Sequence, residues 1–174
     1  MCFTFGVYIK LAIFRQRKVY NLPLSGNPRP DRSAAAESFG APMIEIAHNP
    51  FYKFYVDVDR NRIFLKIKGC WNSPEEVPFY LIHLKEALGL VKPGFSILTD
   101  LRYLEEYSPS IRQMHIEAQK LTIEAGICQL AEVHDLKTSI NQLAMAMAEE
   151  SGIPLNIFDS MQDAEAWLSE LQKK

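Results

Sequence analysis

The stretch from Gly94 to His115, GFSILTDLRYLEEYSPSIRQMH, constrains the fold of this chain more than any other. Its apolar run, Phe95 to Leu98, has the length of a strand buried on both faces and leaves through Thr99-Asp100 into a predicted polar loop. Ser108-Pro109-Ser110 then reads as a helix start. A Ser side chain can accept an orphan amide of the first turn, and Pro sets the entry dihedral at the first helical position. Strand, polar loop and helix N-terminus in that order form the edge where α/β proteins gather main-chain donors and place binding groups.

The same unit repeats along the chain. Upstream, Phe54, Val56 and Val58 alternate with Tyr55, Asp57 and Asp59; beyond a turn at Asp59-Arg60-Asn61, Ile63, Leu65 and Ile67 alternate with Phe64, Lys66 and Lys68. Period two on both sides of a polar turn predicts an antiparallel hairpin. Ser73, Pro74 and Glu76 read as a capping box opening a helix of roughly four turns. Val77, Tyr80, Leu81, Leu84 and Leu88 fall on its inner face. After the central strand, a helix from Ser108 carries the stripe Ile111, Met114, His115, Ala118, Leu121, Thr122 and Ala125, and Ile127 to Val133 reads as the next strand. Helices over about 138–150 and from Ser160 flank a short strand at Leu155 to Phe158. Strands joined by single helices run parallel in a shared sheet. The predicted class is therefore α/β: a mixed β-sheet with an N-terminal antiparallel hairpin, followed by parallel strands and crossover helices. Phe95, Trp167 and Leu168 are expected in its core.

Charge divides the chain. Of 174 residues, the first 42 carry six Lys/Arg against two Asp/Glu, and the rest carry thirteen against nineteen. The apolar segment FTFGVYIKLAIF is broken by Lys10, too short to span a bilayer, and followed rather than preceded by its basic cluster. NLPLSGNPRPDRSAAAESFGAP keeps no period and reads as linker. Residues 1–42 are thus expected to be a non-domain N-terminal extension, disordered or an over-extended start, and residues 43–174 a single domain. The acidic domain argues against nucleic acid, which binds a basic face. Membrane insertion is not expected. Cys2, Cys70 and Cys128 have neither paired nor metal-like spacing, so a reducing, cytoplasmic setting is expected, with Cys70 and Cys128 as small buried hydrophobes.

The order hairpin, helix, strand with Asp-Leu, helix opening on Ser, strand, helix, short strand, helix resembles the SpoIIAA-like branch of the STAS domains, the anti-sigma-factor antagonist fold. The resemblance covers about residues 52–168. It rests on Gly69-Cys70-Trp71, on Gly94-Phe95 through Asp100-Leu101, on Gly126, and on Ala164-Glu165-Ala166-Trp167-Leu168. It implies a non-enzymatic regulatory module acting through a protein partner or as a homodimer, in some relatives switched by Ser phosphorylation at the second helix. Where those relatives read Asp-Ser-Ser-Gly, this chain reads Ser108-Pro109-Ser110-Ile111. Ser108 and Ser110 are the regulatory phosphorylation candidates, because a helix N-terminus favours a dianion. Ordinary helix capping is the alternative use of the same residues. Asp100, Arg102, Tyr103 and Tyr107 are the candidate interaction loop, supplying the Arg and aromatic types that dominate interface hot spots.

No catalytic signature competes with that reading. His83, His115 and His134 are not spaced i, i+4, which removes the simplest helix-borne metal pair, and no metal or cofactor is expected. His134-Asp135 has the types of a general base and its orienting acid, but neighbours on an extended chain point to opposite faces. Arg102 stands where a haloacid-dehalogenase-type phosphatase needs its second Asp. The alternative function is a small apolar-ligand domain related to Sec14-like carriers, with Met114, Met145, Met147 and Met161 lining an adaptable pocket.

Overall fold

The computed structural model describes residues 43–135 and 140–173. The expectations for residues 1–42 lie outside that range. Strands β1 (Ile44–His48), β2 (Tyr52–Asp57), β3 (Arg62–Trp71), β4 (Ser96–Tyr107), β5 (Gln129–Val133) and β6 (Leu155–Phe158) form one sheet in sequence order. β1, β2 and β3 are antiparallel, and β3 to β6 are parallel. The helices are α1 (Tyr80–Leu88), α2 (Pro109–Glu124), α3 (Ile140–Ser151) and α4 (Met161–Leu171). The mixed α/β class read from the sequence is the class observed.

Alternation decides which side chains meet. Tyr52, Phe54 and Val56 of β2, Ile63, Leu65 and Ile67 of β3, and Ile97 of β4 join one buried cluster with residues of α1, α2 and α3. Phe64, Leu98, Ala131 and Val133 point the other way and pack with Ala164 and Leu168 of α4. Successive parallel strands with crossovers of one hand put their connecting helices on one face. The last helix, bound to no further strand, covers the other. At the β2–β3 turn Asn61 has φ of 49°, a left-handed conformation that Asn tolerates, and Asp57 Oδ1 accepts from Arg60 N at 2.9 Å.

Several expectations need correction. β1 was not anticipated: only Ala47 of its five residues is buried, and a register shift between Glu45 and Ala47 breaks its alternation. The Ser73 capping box does not form. Ser73 makes no side-chain cap bond, Glu76 instead accepts from Asn72 N at 3.0 Å, and a single 3-10 turn over Pro74–Glu76 precedes α1. Pro78, which has no N–H and disfavours helix in the residue before it, separates the two. Trp167 is half-buried against Phe158, ring centroids 5.4 Å apart, whereas Phe95 and Leu168 are buried as expected. Cys128 is exposed and Cys70 half-buried, so neither is a core residue.

The largest difference concerns the predicted loop after Asp100. β4 continues to Tyr107, pairing with β3 as far as Trp71. Between Lys66↔Asp100 and Lys68↔Tyr103, β4 spends one residue more than β3, and it does so again between Gly69↔Leu104 and Cys70↔Glu106. These irregularities have the residue count of β-bulges. They bring Leu101 and Leu104, three positions apart, into the same core cluster. Strict period two would put them on opposite faces.

Candidate functional site

Beyond Val133, where β5 stops pairing with it, β4 runs on beside β3 and carries the polar groups picked from the sequence. Asp100 is not a solvent-facing loop group: it is 3% exposed. Arg102 donates to both its oxygens, Nε to Oδ1 at 2.9 Å and Nη2 to Oδ2 at 3.0 Å, and Lys66 Nζ lies 3.5 Å from Oδ2. Burial pushes the Asp100 carboxyl up, but the Arg102 bonds and the Lys66 charge outweigh it and hold the group below its ordinary value. Asp100 is therefore an anion whose two cations it orients. Lys66 Nζ sits 3.7 Å from the centre of the Tyr103 ring, a cation–π contact, and Tyr103 remains 49% exposed. Asp100, Arg102 and Tyr103 thus belong to one cluster, joined by Lys66, which the sequence reading did not select. Tyr107 shares the strand, paired with Trp71 in register.

The strand leads directly into α2. Ser108 N donates to Trp71 O at 3.1 Å, and Ser108 Oγ accepts from Ser110 N at 3.4 Å, the N-cap read from the sequence. The hydroxyls of Ser108 and Ser110 are 3.0 Å apart, and Ser110 Oγ donates to Asn72 O at 2.7 Å. Ser110 is exposed and Ser108 half-buried. A phosphate on Ser110 would replace the hydrogen with which it holds the β3–α1 connection; one on Ser108 would sit at the positive end of a sixteen-residue helix.

Between the sheet and α1, α2 and α3 lies a cavity of about 70 Å³. Its lining is mainly apolar, with Leu65, Ile97, Leu101 and Met147 among the contributors, but Gln119 and Glu132 also reach it. Of the four methionines named above only Met147 lines it; Met145 is 62% exposed and Met161 packs on the opposite face of the sheet. Glu132 Oε2 accepts from His134 Nε2 at 2.9 Å, and His134 Nδ1 bonds the Asn141 side chain across to α3. The acid facing His134 is therefore Glu132 and not the adjacent Asp135. Period two along the strand carried that signal, because residues two apart share a face.

His115 also lines the cavity, its ring 5.4 Å from those of Trp71 and Tyr80, centre to centre. Burial pushes its imidazole down to about 4. The unfolded chain takes up this proton near the ordinary His value of about 6.5, whereas the folded chain resists it until about pH 4. Stability is thus complete above that window and falls as the pH drops through it. His83, whose Nδ1 meets Tyr52 OH at 2.9 Å, is shifted down by burial too and adds in the same direction. The loss from His115 is expected to be on the order of 2 kcal/mol, allowing for its partial exposure. Urea midpoints at pH 7 and pH 4.5 measure it, and His115→Phe should remove most of the difference.

No family model matches this chain, and no curated protein matches it in sequence. Solved structures do resemble it. An uncharacterised protein of the DUF3478 family from Shewanella loihica PV-4, with a SpoIIAA-like fold, superposes with a TM-score of 0.52 at 13% identity, over 70% of this chain and 98% of that one. Apo-SiaC of Pseudomonas aeruginosa gives 0.47 at 16% identity, over 64% and 96%. The complex of the diguanylate cyclase SiaD with its activator SiaC, from the same organism, gives 0.47 at 16% over 65% and 96%. The antiparallel entry, the parallel strands and the helix opening at Ser108 make this a SpoIIAA-like fold.

Proposed function

We propose that this protein is a non-enzymatic regulatory module that works by protein contact, using the far end of the β3–β4 ribbon and the start of α2. The observation that carries this reading is the preorganised cluster on β4. Tyr103 is exposed, Lys66 is held against its ring, and Arg102 is fixed by a two-point bond to a buried carboxylate. An aromatic and an arginine already held in place lose little side-chain freedom on docking, which favours affinity. Ser108 and Ser110 begin the next element, so phosphorylation there would add negative charge at the end of the same ribbon. Asp100 acts by orienting Arg102 and Lys66 from beneath.

Ser108→Glu is expected to fold normally, since a negative charge at a helix N-terminus contributes about 0.3 to 1 kcal/mol in favour of the helix. Its effect should appear in partner capture or self-association. Arg102→Ala with Tyr103→Ala should reduce both more strongly while leaving the circular dichroism spectrum unchanged. If Ser108→Glu and the double variant alter neither the captured proteins nor self-association, this ribbon end is not the working surface.

A further inference from the structure

Helix α4 covers part of one sheet face, where Phe64, Leu98, Ala131 and Val133 pack with Ala164 and Leu168. Toward the Trp71 end of β3 the same face turns polar. Alternation puts Lys66 and Lys68 of β3 on the side of Phe64, and Lys53 of β2, between the inward Tyr52 and Phe54, on that side too. Lys53 faces Lys66 directly in register, and Lys66 in turn faces Asp100. With Arg102 this makes four cations around one buried carboxylate, although residues 43–174 as a whole carry thirteen Lys/Arg against nineteen Asp/Glu. Asp100 holds Arg102 and Lys66, whereas Lys53 and Lys68 form no ion pair among the described residues. Like charges directly opposite on neighbouring strands work against sheet pairing. Burial, and then the charges of Lys53 and Lys66, push the Lys68 ammonium below its ordinary value. An incoming anion would relieve that repulsion.

We propose that this face receives a short acidic segment of the partner protein, whose carboxylates pair with Lys53, Lys66 and Lys68 beside the exposed Tyr103 ring. The inference rests on the contact reading above and adds to it the partner's charge and a third strand, β2. Strand spacing and rise put the three lysine positions about 5–8 Å apart, a separation that alternate residues of an extended segment, or residues three or four apart on a helix, can meet. Acids mark the limits of the patch. Glu45 lies on β1, opposite Tyr55 in register and 3.6 Å from His48. Glu105, two residues beyond Tyr103, accepts from Cys70 Sγ at 3.5 Å. A long polyanion such as a nucleic acid would run on to meet them within the field of a net acidic chain, whereas a short acidic segment ends before them.

A hexaglutamate peptide serves as the probe, compared with hexaglutamine and a short single-stranded DNA. Titrated into the full chain at low salt, hexaglutamate should move the amide NMR signals of β2 and β3 around Lys53, Lys66 and Lys68, with a dissociation constant of roughly 0.1–1 mM. Raising the salt from about 20 to about 200 mM should weaken that binding about fivefold or more. Lys53→Gln with Lys68→Gln should weaken it about tenfold, and Lys53→Glu alone serves the same purpose if the double variant does not fold. Hexaglutamine should leave the signals unmoved. Absent shifts, shifts confined to other surfaces, or equal binding of hexaglutamine would overturn the inference, and tighter binding of the DNA would put a nucleic acid in place of the acidic segment. These outcomes leave the contact reading untouched. That reading stands or falls instead on partner capture and self-association by the Ser108→Glu variant and by Arg102→Ala with Tyr103→Ala.

Discussion

Replacing Trp71 with Ala should lower the unfolding free energy by roughly 3–5 kcal/mol, the range for removing a large aromatic from a packed core. Trp71 ends β3, is fully buried, and donates its indole N–H to Lys68 O at 3.1 Å. Its ring lies 5.1 Å from Tyr80, 5.4 Å from His115 and 5.8 Å from Tyr52, so one side chain joins β2, α1 and α2. The cavity left by Ala would adjoin residues already lining an existing one, and little could collapse to fill it. Urea denaturation at pH 7 gives the number. Trp167→Ala, by contrast, should cost only about 1–2 kcal/mol, because that ring is half-buried. Equal losses from the two would mean that the cluster around Trp71 is not the main core.

Replacing Glu165 with Ala is expected to cost on the order of 2 kcal/mol, and most of that cost should vanish when Arg62 is Met. Arg62 is fully buried at the start of β3, and burial pushes its guanidinium below its ordinary value against the favourable Glu165 charge. Nε donates to Ser96 Oγ at 3.1 Å and Nη2 to Gln172 Oε1 at 3.4 Å, while Nη1 has no hydrogen-bond partner among the described residues and lies 3.9 Å from Glu165. Glu165 also accepts from Arg60 at 2.7 Å. Removing the carboxylate strands a buried cation, a loss of about 3–5 kcal/mol in a dry site. The partial exposure of Glu165 reduces it. Arg62→Met alone should be close to neutral, since it removes the desolvation penalty together with the pair. A double-mutant cycle by urea denaturation measures the coupling, and additive losses would mean that α4 docks through Ala164 and Leu168 alone.

Sequence reading succeeded where one physical signal acted alone. Strict alternation placed β2 and β3; the Ser108-Pro109 pair located the start of α2; and Ser160, whose Oγ accepts from Asp163 N at 3.1 Å, located the start of α4. It failed where two signals conflicted. Ser73 and Glu76 have the spacing of a capping box, but Pro78 prevents that turn from continuing as α-helix. Candidate residues suffered in the same way. Arg102 and Tyr103 stand out by residue type, whereas the contact of Lys66 with Asp100 depends on a parallel neighbour thirty-four positions away in the chain.

The chain by itself determined the fold class, the order of most elements and the two serines at the start of α2, because each depends on periodicity or on contacts within a few residues. Tertiary structure alone decided that β4 extends through Asp100 to Tyr107, that Asp100 is a buried orienting anion, and that Glu132 rather than Asp135 faces His134. It also decided that a cavity lies between the sheet and α1, α2 and α3. The register of β3 against β4, with its added residues, and the packing of α2 and α3 over the sheet set these outcomes. They are agreements between segments distant in sequence, so no local pattern encodes them.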